Sequence, residues 1–300
     1  MLPSPWMNAD LHCHSCVSDG TLTPEELAGR AKARGVELWS LTDHDEIGGQ
    51  QRARAAAQAL GLPYLTGTEI SVSFIGITVH IVGLGFDADD GTLKQGLAAT
   101  RGGRRERALE MADSLARAGI RNSFEGALKY VGNPDLISRT HFARYLVETG
   151  VCSDTSEVFR RFLTEGKPGF VPHRWASLRD AGHWITGAGG MAGAARPARP
   201  PLPPHGRGPL FSEFKAHGGR GVEVVTGSHS AAEAVRYAET ALEYGLFASR
   251  GSDFHSPDES HTDLGALPEL PGQLTPVWEA LRAGVGGFGL PAARGRDPSA

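Results

Sequence analysis

Histidines and carboxylates recur along this chain at spacings that suit divalent cations. His12 and His14 stand two apart in DLHCHS, on a run of strand character over residues 8–14. Side chains alternate faces along a strand, so the two imidazoles point one way while Leu11 and Cys13 point the other. Two imidazoles side by side suit one divalent ion. Asp19 follows in an Asp-Gly turn, and His44 closes the next strand in LTDHD. Asp253 and His255, in GSDFHSP, form a second alternating pair near the other end. Glu69 lies inside an otherwise apolar strand, where a carboxylate is costly unless paired or bound to a cation. His80 interrupts the strand after it. These are mixed nitrogen and oxygen donors without thiolate, which suits Mn²⁺, Fe²⁺ or Zn²⁺ better than Ca²⁺, and eight of them are too many for one ion.

The elements that must position them alternate. After the first strand, Thr23-Pro24-Glu25-Glu26 reads as a helix start with Thr23 as N-cap, Pro24 at the first position and Glu26 closing a capping box. The helix runs to about Arg34 and stops at Gly35. A mostly apolar strand over 36–42 reads as a buried parallel strand. A helix over 49–60 and strands over 64–73 and 75–84 follow. Strand, helix, strand with chemistry at the carboxyl ends is the logic of a (β/α) barrel. From 88 to 166 the strand signal disappears: helices are expected over 92–118, 123–131, 138–149 and 153–163. The pattern then returns, with helices over 177–186, 211–218, 231–244 and 275–282 and strands over 221–226 and 248–254. His173, in KPGFVPHRW, either touches substrate or caps a loop.

DLHCHS, SDGTLTP, LTDHD, GTEIS, HIVGL, ISRTHFAR, EVVTGSHS and GSDFHSP together resemble the PHP superfamily of phosphoesterases, named for polymerase and histidinol phosphatase. Within it the chain is most similar to nucleotide 3′,5′-bisphosphate phosphatases that also act as 5′-to-3′ exoribonucleases. The resemblance covers about residues 7–278. It implies an α/β fold, a distorted (β/α)7 TIM-like barrel. The barrel is expected over 7–87 and 167–290, with a helical insertion over 88–166 capping the active site and a disordered tail over 291–300. It also implies a ligand assignment: one ion on His12, His14, Glu69 and Asp253, a second on Asp19, His44 and His255, and a third on Glu69, His80 and one further histidine. The catalytic group would be a water activated by the ions on His12, His14, Glu69 and Asp253. Two or three ions, Mn²⁺ first among them, are the implied cofactors, and a nucleotide or short RNA the implied substrate. Arg139 and His141, opening the SRTHFAR helix, and Arg104 and Arg107 in the RGGRRER run would neutralise substrate phosphate. The same basic run reads equally well as a solvated helix face. Relatives commonly have proline where this chain has Thr140.

One stretch departs from the family pattern. Over residues 187–209, 20 of 23 residues are Gly, Ala, Arg or Pro. Relatives have here a buried strand whose histidine binds metal; this chain has Arg196 at that position. Arginine stays protonated and offers no acceptor, so it is a poor cation ligand. Without β-branched residues the stretch reads as a loop. Two origins compete: natural divergence, or two compensating frame shifts in a GC-rich gene, which the composition favours. Clean genomic reads that still encode Arg196 would exclude the shift. Arg196 also motivates the alternatives of a weakened or inactive metal and nucleotide binder, beside a histidinol-phosphatase-like phosphomonoesterase.

Composition bounds the remainder. A net charge of −4 gives no global basic field for duplex DNA. Cys13, Cys16 and Cys152 make no even-numbered disulfide framework, which fits a reducing cytoplasm, and the Cys13/Cys16 spacing is read as incidental. No apolar run reaches the roughly 18 residues that a membrane span needs, and residues 1–7 lack a signal pattern.

Overall fold

A computed structural model describes residues 7–199 and 204–284. Its strands are β1 (Ala9–Asp10), β2 (Leu38–Leu41), β3 (Tyr64–Phe74), β4 (Ile77–Leu84), β5 (Met191–Ala195), β6 (Gly219–Thr226) and β7 (Phe247–Gly251). Its helices are α1 (Pro24–Ala33), α2 (Gln50–Ala59), α3 (Gly91–Arg101), α4 (Arg104–Arg117), α5 (Ser123–Leu128), α6 (Arg139–Glu148), α7 (Thr155–Val158), α8 (Leu178–Gly187), α9 (Pro204–Ala216), α10 (Ala231–Tyr244) and α11 (Val277–Gly284). A π turn (Phe159–Leu163) continues α7.

The seven strands form one sheet in sequence order. β3–β4 and β4–β5 are antiparallel and the other neighbours parallel. Past the ends of β1 and β7 the sheet nearly closes, because Leu11 N–H donates to Arg250 O at 3.1 Å and Cys13 pairs with Phe254. The result is the α/β barrel that the sequence predicts, with one antiparallel excursion. That excursion turns on Ile75-Gly76, both at positive φ, the geometry of a tight hairpin. At α1 the expected capping box is present: Glu26 N–H donates to Thr23 Oγ1, and Thr23 N–H donates back to the Glu26 carboxylate.

Two expectations are corrected. The stretch read as a loop contains β5, whose five residues are all buried and paired on both sides. Backbone pairing with β4 and β6 overrides weak local propensity, and small residues let the strands approach: a Cβ on Gly221 would lie 3.3 Å from Gly193 Cα. The single helix expected over 92–118 is two, broken at Gly102-Gly103. Gly103 sits at φ 85°, and a Cβ there would lie 2.9 Å from the His173 ring, so glycine both permits and requires the break.

The barrel core includes Leu11, Ile70, Val82, Leu84, Val222 and Trp278, and α3 contributes Leu93 and Leu97 to it. The chain from α4 onward buries a separate core around Met111, Leu115, Phe142, Leu146, Val158 and Leu163. α3 therefore packs with the barrel, and the region with its own core begins at α4. The tail expected over 291–300 lies outside the described residues. Among the described residues no helix is long and apolar enough to cross a membrane.

Candidate metal centre

The eight predicted ligands converge on one end of the barrel. His12 and His14 follow β1, with Nε2 atoms 3.2 Å apart and both side chains fully buried. His44 follows β2, Glu69 and His80 face each other from β3 and β4, and Asp253 and His255 follow β7. Three overlapping groups have ligand atoms within 4.8 Å of one another: His12, His14, Glu69 and Asp253; His14, Asp19, His44 and His255; and His44, Glu69 and His80. The first holds the same four residues as the expected first set. The second gains His14, and the third has His44 where a further histidine was expected.

Asp253 and His255 do not converge by strand alternation, because β7 ends at Gly251. Asp253 instead adopts φ 57°. His255 Nδ1 donates to Asp253 O at 2.8 Å, which leaves its Nε2 facing Asp19 Oδ1 at 3.5 Å. Five non-glycine residues among those described have positive φ, and three of them, Asp45, Arg196 and Asp253, stand at this site. Each such conformation costs about 1–3 kcal/mol and persists only where its surroundings impose it.

Supporting residues escaped the sequence reading. Glu223, buried in β6, accepts His12 Nδ1–H at 2.7 Å and Arg196 N–H at 2.8 Å. Asp43 accepts from Ser15 N–H, Ser15 Oγ and Ser18 Oγ at 2.6–2.8 Å, fixing the loop that carries Asp19. Asp19 Oδ2 accepts from Thr140 Oγ1 at 2.9 Å and Ser138 Oγ at 3.2 Å, so the threonine that departs from the family pattern holds a predicted ligand. The signal was available at Glu223, an acid in the apolar run GVEVV, as it was at Glu69.

The electrostatics are those of a cation site. Burial opposes ionisation of Glu69, yet Arg196 and the histidines hold its carboxyl well below the usual range. Asp19 behaves likewise beside His44 and His255. Burial would lower His14, but the Asp253 and Glu69 carboxylates, each 3.3 Å from its Nε2, lift it to about 9. Burial prevails at His44 and keeps it well below the ordinary imidazole value. His14 Nδ1, Asp19 Oδ1, His44 Nδ1, Glu69 Oε2 and Asp253 Oδ1 are all buried without a hydrogen-bond partner among the described residues. Buried polar atoms are ordinarily satisfied, and here the orphans face one another. Their donor types and spacing fit divalent ions.

A cleft of about 370 Å³ opens over the cluster and is lined in part by His80, Arg104, Arg107, Arg139, Arg196 and His255. Arg104 is buried and donates to Asp45 Oδ2, so its charge is already paired. Arg107 donates through Nε to Val171 O at 3.0 Å, and Arg139 through Nη1 to Leu163 O at 3.3 Å, and among the described residues neither is paired with a carboxylate. Burial, then repulsion from Arg139 and Arg104, lowers Arg107 to about 9. The basic run is therefore not simply a solvated face. His141 is fully buried off the cleft wall, where its Nδ1 accepts the Ser138 N–H that caps α6, and burial lowers it to about 4. His173 packs edge-on against Trp175, with ring centroids 4.2 Å apart. Cys13 accepts from Trp39 Nε1 at 3.2 Å inside the core, and all three cysteines are free thiols.

The PHP domain family matches residues 10–125. The 3′,5′-nucleoside bisphosphate phosphatase of Chromobacterium violaceum is 50% identical over 278 residues, 93% of this chain and 98% of that protein. The chain belongs to the PHP family. A 5′-3′ exoribonuclease of Haemophilus influenzae is 40% identical over 270 residues, 90% of this chain and 97% of that protein. Among solved structures, a predicted metal-dependent phosphoesterase of Bifidobacterium adolescentis superposes with a TM-score of 0.78 at 28% identity, covering 95% of this chain and 98% of that one. As a PHP protein the chain is a phosphoric ester hydrolase, and its clustered His, Asp and Glu side chains are those of a metal-dependent one.

Proposed function

We propose that this chain hydrolyses phosphate esters of nucleotides, either 3′,5′-nucleotide bisphosphates or 5′-phosphorylated short RNA, at a cluster of divalent ions for which Mn²⁺ is the first candidate. One observation carries the reading: five buried ligand atoms without hydrogen-bond partners face one another below a cleft lined by arginines. His12, His14, Glu69 and Asp253 would hold one ion, and Asp19, His44 and His255, with His14 between the groups, a second. When bound, the ions supply Lewis acidity toward phosphate and a nucleophile from water at neutral pH. The protein's own residues do the rest. Glu223 fixes the His12 ring and its tautomer, and the Asp253 carbonyl does the same for His255.

Arg139 and Arg107 lie beyond the cluster, have no carboxylate partner among the described residues and repel each other. Such a pair favours a substrate with a second phosphate. Hydrolysis then consumes one water; a bisphosphate yields phosphate and an alcohol, and an RNA phosphodiester yields an alcohol and a phosphate monoester. The relatives' names point to the same substrates, and three free cysteines support a cytoplasmic setting.

A substrate panel with the Mn²⁺-loaded protein tests this. Adenosine 3′,5′-bisphosphate and a 5′-phosphorylated trinucleotide should be turned over well ahead of histidinol phosphate. Faster turnover of histidinol phosphate would overturn the assignment.

A further inference from the structure

The group formed by His44, Glu69 and His80 already has a positively charged occupant. Arg196 follows β5 and reaches between two predicted ligands. Its Nη2 donates to Glu69 Oε1 at 2.6 Å, and its Nη1 donates to Asp253 Oδ2 at 2.6 Å. Nη2 also lies 3.4 Å from His80 Nδ1. Glu69 Oε1 and His80 Nδ1 are themselves 3.0 Å apart, so the guanidinium sits against the very pair a third ion would bridge. Its backbone is held as firmly: Arg196 N–H donates to Glu223 Oε2 at 2.8 Å, and φ is 39°.

A metal ion on that pair would need contacts of about 2.0–2.2 Å to both atoms. A guanidinium hydrogen-bonded to the same carboxylate oxygen occupies that approach, offers no lone pair in exchange and repels a second cation at short range. The two therefore compete for one place. Asp253 and Glu69 in turn keep the buried guanidinium charged, against the effect of burial.

We infer that Arg196 is a built-in cation that replaces a third metal ion, so that this chain works with two ions and a guanidinium clamp between Glu69 and Asp253. The inference rests on the reading that the cluster binds divalent ions. The clamp has a second consequence. It pairs with both carboxylates and offsets one of their two charges before any metal arrives, so the metal-free protein depends on it.

The test counts metal and does not require turnover. Wild-type protein and Arg196→His are stripped with chelator and reloaded with excess Mn²⁺. They are then freed of unbound ion and measured for metal per chain by mass spectrometry. The expected result is two ions in the wild type and three in the variant. Three in the wild type, or two in a folded variant, overturns the inference and leaves the proposed function standing. No ion in the wild type overturns both.

Arg196→Gln keeps the question open to refutation if the histidine variant does not fold. Its melting temperature should fall well below wild type without metal and recover most of that loss with Mn²⁺. An equal loss with and without metal would mean that Arg196 serves only packing.

Discussion

His12 donates through Nδ1 to Glu223 Oε1 at 2.7 Å, joining a ligand after the first strand to an acid on the sixth. The bond fixes the His12 ring and points Nε2 at Glu69 Oε2, 3.2 Å away, where an ion would take its lone pair. Residues that orient a ligating imidazole typically contribute about 10–100-fold to metal affinity. Glu223→Gln should therefore weaken Mn²⁺ binding by about that factor, measured by competition with a chelating dye. Unchanged affinity would show that Glu223 does not position His12.

Arg104 and Asp45 form a buried ion pair beside the cluster, with Ser71 N–H donating to Asp45 Oδ1 at 2.7 Å. Removing one partner leaves the other charge buried and unpaired. Arg104→Ala should cost about 3–5 kcal/mol of unfolding free energy in a denaturant titration. Arg104→Ala combined with Asp45→Asn should be less destabilised than Arg104→Ala alone. A single-variant cost below about 1 kcal/mol would mean the pair behaves as an exposed one.

Metal uptake should release protons. In the metal-free site burial lowers His14, but Asp253 and Glu69 outweigh it and lift it to about 9, so at neutral pH it carries a proton. An ion must displace that proton, so affinity should rise with pH and the linkage should fade above about pH 9. Proton release on adding Mn²⁺ in weak buffer at pH 7 checks the sign. No release would contradict a raised His14.

Arg139 is expected to act on the second phosphate. A charge-assisted hydrogen bond contributes about 1.5–3 kcal/mol, so Arg139→Ala should raise KM for adenosine 3′,5′-bisphosphate by about tenfold or more. KM for a nucleoside monophosphate should change far less. Equal effects on both substrates would place Arg139 elsewhere in the reaction.

Much of this site was legible in the sequence because its chemistry is repeated. HxH, DHD and DxH each place charged or imidazole groups where an apolar strand should end, and the structure gathers all eight named residues. Glu69 was found by the cost of a carboxylate in an apolar strand. Glu223 satisfies the same rule and was missed, because its partner His12 stands 211 positions away. Asp43 and Asp45 flank His44 in one motif, yet their hydrogen bonds to the loop carrying Asp19 and to Ser71 are tertiary facts. β5 was misread for a related reason. Its Gly and Ala residues carry no strand signal, and only the flanking strands make it one. Arg196 was recognised as a lost ligand, but not as the partner of Glu69 and Asp253. Arg104 read as a free phosphate contact because Asp45, which pairs it, lies 59 positions earlier.

The most direct test is metal add-back. Phosphate release from adenosine 3′,5′-bisphosphate is followed with chelated protein, with the same protein after Mn²⁺ is restored, and with His14→Ala. The account predicts no release from the first, full release from the second, and a loss of at least about 100-fold in the third. Turnover that survives chelation, or that is indifferent to His14, would contradict it.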